Sequence, residues 1–258
     1  MSLFKQEKVE FIFKNFEIYE EDLLQFMKIV PFSEENKNTW SPRLVNLFLD
    51  ICSFFDSLCR FIVSKGVEEV NTEISIQDKN GKIITKKIKD FDIEDFENNL
   101  LKNIDVFNSN VVFYTYPLKI IKPFELYRNR EDNGWWSVYN DLKHNRLINY
   151  QKATLENIVK ALSGLFLLLV RYKEDEIFSN LILIHKWSYT RIVPEYFHRE
   201  RIDNGFRIWY DSPFLFGTPD LPSNLPDDFE RIKRMGGGAM SASDKFIYFL
   251  GRFNWNIK

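Results

Sequence analysis

Residues 41–66 read SPRLVNLFLDICSFFDSLCRFIVSKG. Ser41 followed by Pro42 predicts a helix start, because serine caps the first free amide groups and proline at the first position gives up no needed donor. Gly66 is suited to the position that follows a helix end. Apolar residues fall on nearly all sides of this helix, so we expect it to lie at the centre of the core.

The composition supports one large core. The chain has 258 residues, of which 45% are hydrophobic and 16% aromatic, and this excludes a disordered protein. A net charge of −2 and a pI near 6.0 give no overall field that would draw the protein to nucleic acid, although a local basic surface could do so. At this length we expect one domain, or one domain with a small appendage.

The N-terminus and the cysteines indicate a cytoplasmic protein. Acidic residues interrupt the first segment, where a signal peptide would be apolar, and the most apolar stretch is too short to cross a bilayer. Cys52 and Cys59 stand two turns apart on one helix, ~10 Å, which is too far for a disulfide. We therefore expect reduced core cysteines. Since no zinc spacing and no phosphate-binding loop occur, no metal and no cofactor are expected.

Turn and cap residues divide the rest of the chain. Asn80-Gly81 lies between two alternating stretches and predicts a β-hairpin, and Asn204-Gly205 predicts a second. Helix-like residue patterns predict a helix within residues 1–35, a helix that begins near residue 135 and a helix over residues 153–172. Thr154 lies near the start of this last helix. We predict a mainly α fold: a helical bundle with a β-hairpin insertion over residues 1–178, and a smaller β- and loop-rich C-terminal extension over residues 179–258, packed on the bundle.

Residues 135–146, WWSVYNDLKHNR, contain one of three histidines. Because each helical residue advances ~100°, Asn140, Lys143 and His144 share one face, whereas Arg146 lies about 160° from His144. A neutral imidazole here could take a proton from a ribose 2′-hydroxyl, with a lysine stabilising charge on the phosphate. The ordinary alternative is a solvated helix face behind two anchoring tryptophans.

Three stretches together resemble the HEPN superfamily of helical bundles, which occur in bacterial defence and toxin systems. They are WWSVYNDLKHNR, the earlier SPRLVNLFLDICSFFDSLCRFI and the later ATLENIVKALSGLFLLL, so the resemblance covers roughly residues 40–172. It implies a HEPN-like helical bundle and a metal-independent endoribonuclease or RNA-binding protein in phage defence or a toxin–antitoxin pair. It also implies a homodimer or a larger defence complex, with an RNA-cutting cleft shared by two copies of the histidine helix.

The resemblance implies a role for five residues. His144 is expected to act as the general base or acid. Lys143 and Arg146 are expected to hold the phosphate, and Asn140 and Asp56 to position the reacting groups. Cleavage through the 2′-hydroxyl would leave a 2′,3′-cyclic phosphate and would need no metal.

One position departs from the family signature, in which an arginine precedes the histidine and is often followed directly by asparagine. Tyr139 occupies the arginine position here, directly before Asn140. The alternative is therefore a catalytically inactive HEPN-like module that binds a partner protein or a nucleotide, or an antitoxin-type protein. For Asp56, an ion pair with Arg60 one helical turn away is as well supported as a catalytic role.

Basic and aromatic residues alternate between residues 185 and 210. This pattern is typical of single-stranded RNA binding and equally of a half-buried antiparallel sheet, and the two are compatible. The predicted RNA-binding residues are Trp136, Tyr139, Arg191, Arg199 and Arg201.

Overall fold

The computed structural model describes residues 3–113, 119–172 and 192–194. Helices dominate this part of the chain, which confirms the predicted mainly α class. The helices are α1 (Gln6–Met27), α2 (Pro42–Val63), α3 (Ile93–Phe96), α4 (Trp135–Asn149) and α5 (Leu155–Arg171), and α3 continues into a π-helical turn, Glu97–Leu101.

The central helix α2 begins and ends where the sequence predicts. The Ser41 hydroxyl accepts a hydrogen bond from the Leu44 amide at 3.2 Å. Lys65 and Gly66 follow the helix with positive φ angles of 54° and 78°. The Gly66 amide donates to the carbonyl of Phe61 at 2.9 Å, which satisfies a carbonyl at the helix end. α2 packs against α1, α4 and α5 and forms the middle of the bundle.

Helix α5 supplies the most apolar wall of the core. Thr154 caps it by accepting a hydrogen bond from the Asn157 amide at 3.3 Å, so the predicted start is confirmed to within two residues. Residues 161–169 are all buried. Cys52 and Cys59 are also buried and reduced, as predicted, and burial raises the pKa of both thiols.

The predicted hairpin at Asn80-Gly81 is confirmed. Strands β1 (Glu73–Gln77) and β2 (Ile83–Lys87) pair antiparallel, with Gln77 opposite Ile83. The π-helical turn holds this hairpin against the bundle, because Asn99 exchanges two hydrogen bonds with the backbone of Gln77, at 2.8 and 2.9 Å.

A second sheet joins the bundle to a C-terminal segment. Strands β3 (Val111–Phe113), β4 (Lys119–Ile121) and β5 (Ile192–Pro194) form an antiparallel sheet in the order β4-β3-β5. The predicted hairpin at Asn204-Gly205, like most of the predicted C-terminal extension, lies outside the described residues. In the part of the chain that is described, no helix has both the length and the apolarity needed to cross a membrane.

Candidate functional site

Two tryptophans anchor the start of α4. Trp135 is fully buried, and its indole Nε1 donates to the carbonyl of Pro123 at 2.6 Å. The ring centroids of Trp135 and Trp136 lie 5.4 and 5.9 Å from that of Phe55 on α2. Gly134 precedes the helix at a point where a Cβ atom would lie 2.2 Å from the carbonyl oxygen of Leu126. The helix is therefore fixed at its N-terminal end.

The burial of Trp136 and Tyr139 removes both from the predicted RNA contacts. Each is only 5% exposed, whereas base stacking needs an accessible ring face. Their rings are covered because α4 packs across α2 along this side. Burial, followed in size by the charge of Asp56, raises the pKa of Tyr139 to about 12, and the Ser53 hydroxyl lies beside it. Trp136 and Tyr139 therefore anchor α4 to α2. This agrees with the ordinary alternative from the sequence, in which the aromatic residues hold the helix in place and do not contact RNA.

The chemically distinctive residues lie further along the same helix. Helix α4 is regular as far as His144, so Asn140, Lys143 and His144 lie within half a turn of one another around the axis. Lys143 and His144 are exposed and Asn140 is half-buried. The Lys143 ammonium lies 5.6 Å from the centre of the Tyr139 ring, a cation–π contact that leaves one side of the ammonium in water. An accessible imidazole and an accessible ammonium are thus adjacent.

α4 is broken directly after the histidine. Asn145 has φ −150° and ψ 78°, well outside the helical region. The amide of Asn149 bridges the break, since its Nδ2 donates to the carbonyls of Asp141 and Asn145 at 3.2 and 3.1 Å. The Lys152 ammonium pairs with the Asp141 carboxylate at 2.7 Å. Residues 135–152 contain no proline and no glycine, so the sequence did not predict this break.

Arg146 lies on the α2 side of the break. Its guanidinium donates to the side-chain oxygen of Asn46. Tyr139 comes seven residues before Arg146, and it lies beside Ser53, which comes seven residues after Asn46. The two helices therefore run in opposite directions and pack antiparallel along one edge. His144 is directed away from that edge by helical geometry. Within one chain, the structure therefore does not bring Arg146 to the histidine.

Asp56 makes the ion pair that the sequence offered as an alternative to a catalytic role. Its carboxylate lies 3.3 Å from the Arg60 guanidinium, and both side chains are largely buried. Arg60 also donates to the carbonyl of Phe91 at 3.1 Å and to that of Ile88. Asp56 therefore holds the Arg60 side chain that joins α2 to the segment before α3, and its charge also raises the pKa of Tyr139.

The remaining predicted RNA-binding residues, Arg191, Arg199 and Arg201, lie outside the described part of the chain. Within residues 3–113, 119–172 and 192–194, no three histidine, cysteine, aspartate or glutamate side chains are grouped so that they could hold a metal ion. No protein-family model, no curated protein and no solved structure matches this chain.

Sequence reasoning missed several residues that shape the end of α4. No local sequence pattern predicts these residues, because their contacts join positions that are distant in sequence or lie across the break. They are Asn46, Asn149 and Lys152. The exposure of Leu147 and Ile148, by contrast, could have been predicted from the sequence. Two adjacent aliphatic residues at the end of a polar helical segment do not fit the period of an amphipathic helix. Both are strongly exposed.

Proposed function

We propose that this protein is a metal-independent endoribonuclease or RNA-binding protein that acts through the exposed end of α4, in phage defence or as a toxin component. The observation that supports it best is the accessible imidazole of His144 beside the ammonium of Lys143, on a helix fixed by two buried tryptophans. The resemblance of this helix to the HEPN histidine helix supplies the reaction class.

The proposed reaction begins when His144 takes the proton of a ribose 2′-hydroxyl. The resulting oxygen attacks the adjacent phosphorus and displaces the 5′-oxygen of the next nucleotide, which takes up a proton from the imidazolium. The products are a 2′,3′-cyclic phosphate and a free 5′-hydroxyl. Lys143 stabilises the negative charge that builds up on the phosphate oxygens, and Asn140 orients the imidazole. The phosphate-holding role of Arg146 stays a prediction, since within one chain its guanidinium bonds to Asn46 on the other edge of α4.

Purified protein and an end-labelled single-stranded RNA test this proposal directly. We expect the wild type to cut the RNA with or without EDTA and to leave cyclic phosphate ends. His144→Ala should lose cleavage by at least a hundredfold, since general acid–base catalysis contributes about 10²–10⁴ in rate. Lys102→Ala is the matched control and should cut normally, since Lys102 is an exposed lysine at the end of the π-helical turn and its ammonium bonds to Asn98. Equal cleavage by wild type and His144→Ala would contradict the proposal.

Expression in bacterial cells gives an independent measurement. If the protein is a toxic nuclease, induction of the wild type should slow growth and fragment cellular RNA, and induction of His144→Ala should not. Intact RNA and equal growth with both proteins would argue against a toxic nuclease.

The second candidate is a HEPN-like module that binds RNA, a nucleotide or a partner protein without cutting. Two observations favour it: Tyr139 stands buried in the arginine position of the signature, and Arg146 is occupied on the α2 edge. In the same RNA assay, retained binding with no cleavage at any concentration of protein would select this module over the enzyme.

A further inference from the structure

We infer that the free edge of β2 binds an extended, acidic segment of a partner protein, which pairs with the β1–β2 hairpin as a third strand. An edge strand presents a row of backbone amides and carbonyls with which another chain can pair. The β1 edge is occupied at Gln77, whose amide and carbonyl both bond to the side chain of Asn99, at 2.8 and 2.9 Å. Within the described residues the hairpin is a two-stranded sheet, so β2 has no neighbouring strand on its outer side.

The register shows which backbone groups of β2 are directed to this outer side. In an antiparallel pair, positions that exchange hydrogen bonds alternate with positions whose amide and carbonyl point away from the partner strand. Just before β2, the amide of Asp78 donates to the carbonyl of Lys82 at 2.9 Å. Just after it, the amide of Ile88 donates to the carbonyl of Thr72 at 3.1 Å. Counting from either end gives the same three outward positions, which are Ile83, Thr85 and Lys87.

The side chains at the three outward positions are also accessible. They lie on the face of the hairpin that is turned away from the bundle, and all three are exposed, with Ile83 at 58%. The side chains between them face inwards: Ile84 packs against the core, and the Lys86 ammonium pairs with two carboxylates at the start of α3. An added strand would therefore meet an aliphatic group, a hydroxyl and an ammonium at alternate positions.

The charge of the β2 edge is positive. Residues 82–89 contain four lysines and no carboxylate, and apart from the ion-paired Lys86 these lysines are exposed. Glu73 stands opposite Lys87 on β1. A strand added to β2 would lie about 4.8 Å from β2 and about 10 Å from β1, so it meets the lysines directly, while water and salt screen the more distant carboxylate. Opposite charges on neighbouring strands stabilise their pairing, so the edge fits an acidic strand.

The pattern of groups predicts the order of residues in the partner segment. In an antiparallel third strand, a carboxylate opposite Lys87 comes first along the chain. A β-branched aliphatic residue opposite Ile83 comes four residues later, because every second residue faces the same side. Between them, the residue opposite Thr85 lies at the centre of the contact.

A polypeptide fits this edge better than RNA or a second copy of β2. Phosphate oxygens accept hydrogen bonds but donate none, so they would leave the outward carbonyls of β2 unpaired, whereas a strand supplies donors and acceptors in alternation. A second copy of β2 would bring its own lysines against those of the first. His144 takes no part in this contact, so the inference stands independently of the RNA proposal.

Fluorescence anisotropy of a labelled probe peptide, Glu-Thr-Glu-Thr-Val-Thr-Val, with the full chain at low salt measures the association. We expect saturable binding that weakens as salt is raised. The same peptide with lysine in place of both glutamates should bind about tenfold more weakly. A methyl group on the backbone nitrogen of the first valine, which faces Thr85, should abolish binding. The same methyl group on the threonine that follows, whose amide faces away from β2, should not.

Two proline variants form a matched pair in the protein. Thr85→Pro removes the central outward amide of β2 without removing a bond to β1, and should weaken binding of the probe about tenfold. Ser75→Pro is the control, because Ser75 lies directly opposite Thr85 on the β1 edge and is likewise exposed. It should bind the probe normally.

A charge reversal gives a test that leaves the backbone unchanged. Lys87→Glu should weaken binding of the acidic probe about tenfold and should bind the lysine probe more tightly than the wild type does. A wild type that binds no probe at any concentration would overturn the inference, as would binding that Lys87→Glu and the two methylated probes leave unchanged. Displacement of the probe by single-stranded RNA, with RNA binding lost in Lys87→Glu, would assign the edge to RNA instead.

Discussion

The indole nitrogen of Trp135 donates a hydrogen bond to the carbonyl oxygen of Pro123 over 2.6 Å, and the bond is buried. This contact ties the first residue of α4 to the segment after β4. This hydrogen bond therefore fixes the start of α4, although the last turn of the same helix is exposed to solvent.

Trp135→Phe should therefore be strongly destabilising. The substitution leaves the Pro123 carbonyl without its donor and opens a cavity beside Phe55, at a combined cost of about 2–4 kcal/mol in the free energy of unfolding. Urea denaturation followed by circular dichroism measures the loss. Trp40→Phe is the control, because Trp40 is 39% exposed and its replacement should cost less than about 1 kcal/mol. Equal losses from the two variants would contradict this account.

Gly134 and Gly81 should respond differently to alanine. A Cβ on Gly134 would lie 2.2 Å from a backbone oxygen, so Gly134→Ala should cost about 3 kcal/mol or more by overpacking. Gly81 has open space around it and a φ of 78°, so Gly81→Ala should cost only about 1 kcal/mol of backbone strain. Thermal unfolding of both variants gives the comparison, and a larger loss for Gly81→Ala would show that the packing before α4 is looser than the structure indicates.

Tyr139 should make the folded state sensitive to high pH. Its pKa is raised to about 12, so the folded protein favours the neutral phenol. The resulting stability is fully present below the ordinary tyrosine value near 10 and is lost as the pH rises from about 10 towards 12.

Tyr139→Phe removes this titration and keeps the ring. We expect the free energy of unfolding of the variant to fall less steeply between pH 10 and pH 12 than that of the wild type. Urea titrations at several pH values measure the two slopes. Identical slopes would mean that the hydroxyl is not protected from solvent in the folded protein.

Asn149 should hold the last turn of α4 in place. Asn149→Ala removes two side-chain hydrogen bonds across the break at Asn145, so local opening should become easier by about 1–2 kcal/mol. Amide hydrogen exchange of residues 146–149 should accelerate by about tenfold, since 1.4 kcal/mol corresponds to a factor of ten. Gln151→Ala should leave these rates unchanged, because the Gln151 side chain donates to the hydroxyl of the adjacent Tyr150 and does not cross the break.

The sequence alone identified much of the fold, because the signals involved are local. Each of these signals depends on hydrogen bonds to backbone groups only a few residues away. Examples are the helix caps at Ser41-Pro42 and Thr154 and the turn at Asn80-Gly81. The apolar character of α2 on nearly all sides likewise predicted its central position. For the candidate site, helical periodicity predicted only that His144 and Lys143 share a face, and both side chains are exposed. Their action on RNA stays a prediction.

The tertiary structure decided which side chains of α4 face solvent and which partners they have. The sequence offered Trp136 both as an anchor and as an RNA contact, and only the position of Phe55 on α2 shows that the ring is covered. Arg146 and Asn46 are 100 residues apart. For Asp56 the sequence supported a catalytic role and an ion pair with Arg60 equally, and the structure shows the ion pair. Caps and turns depend on neighbouring backbone atoms, whereas burial and pairing depend on how helices distant in sequence pack, and no single stretch of this chain carries that information.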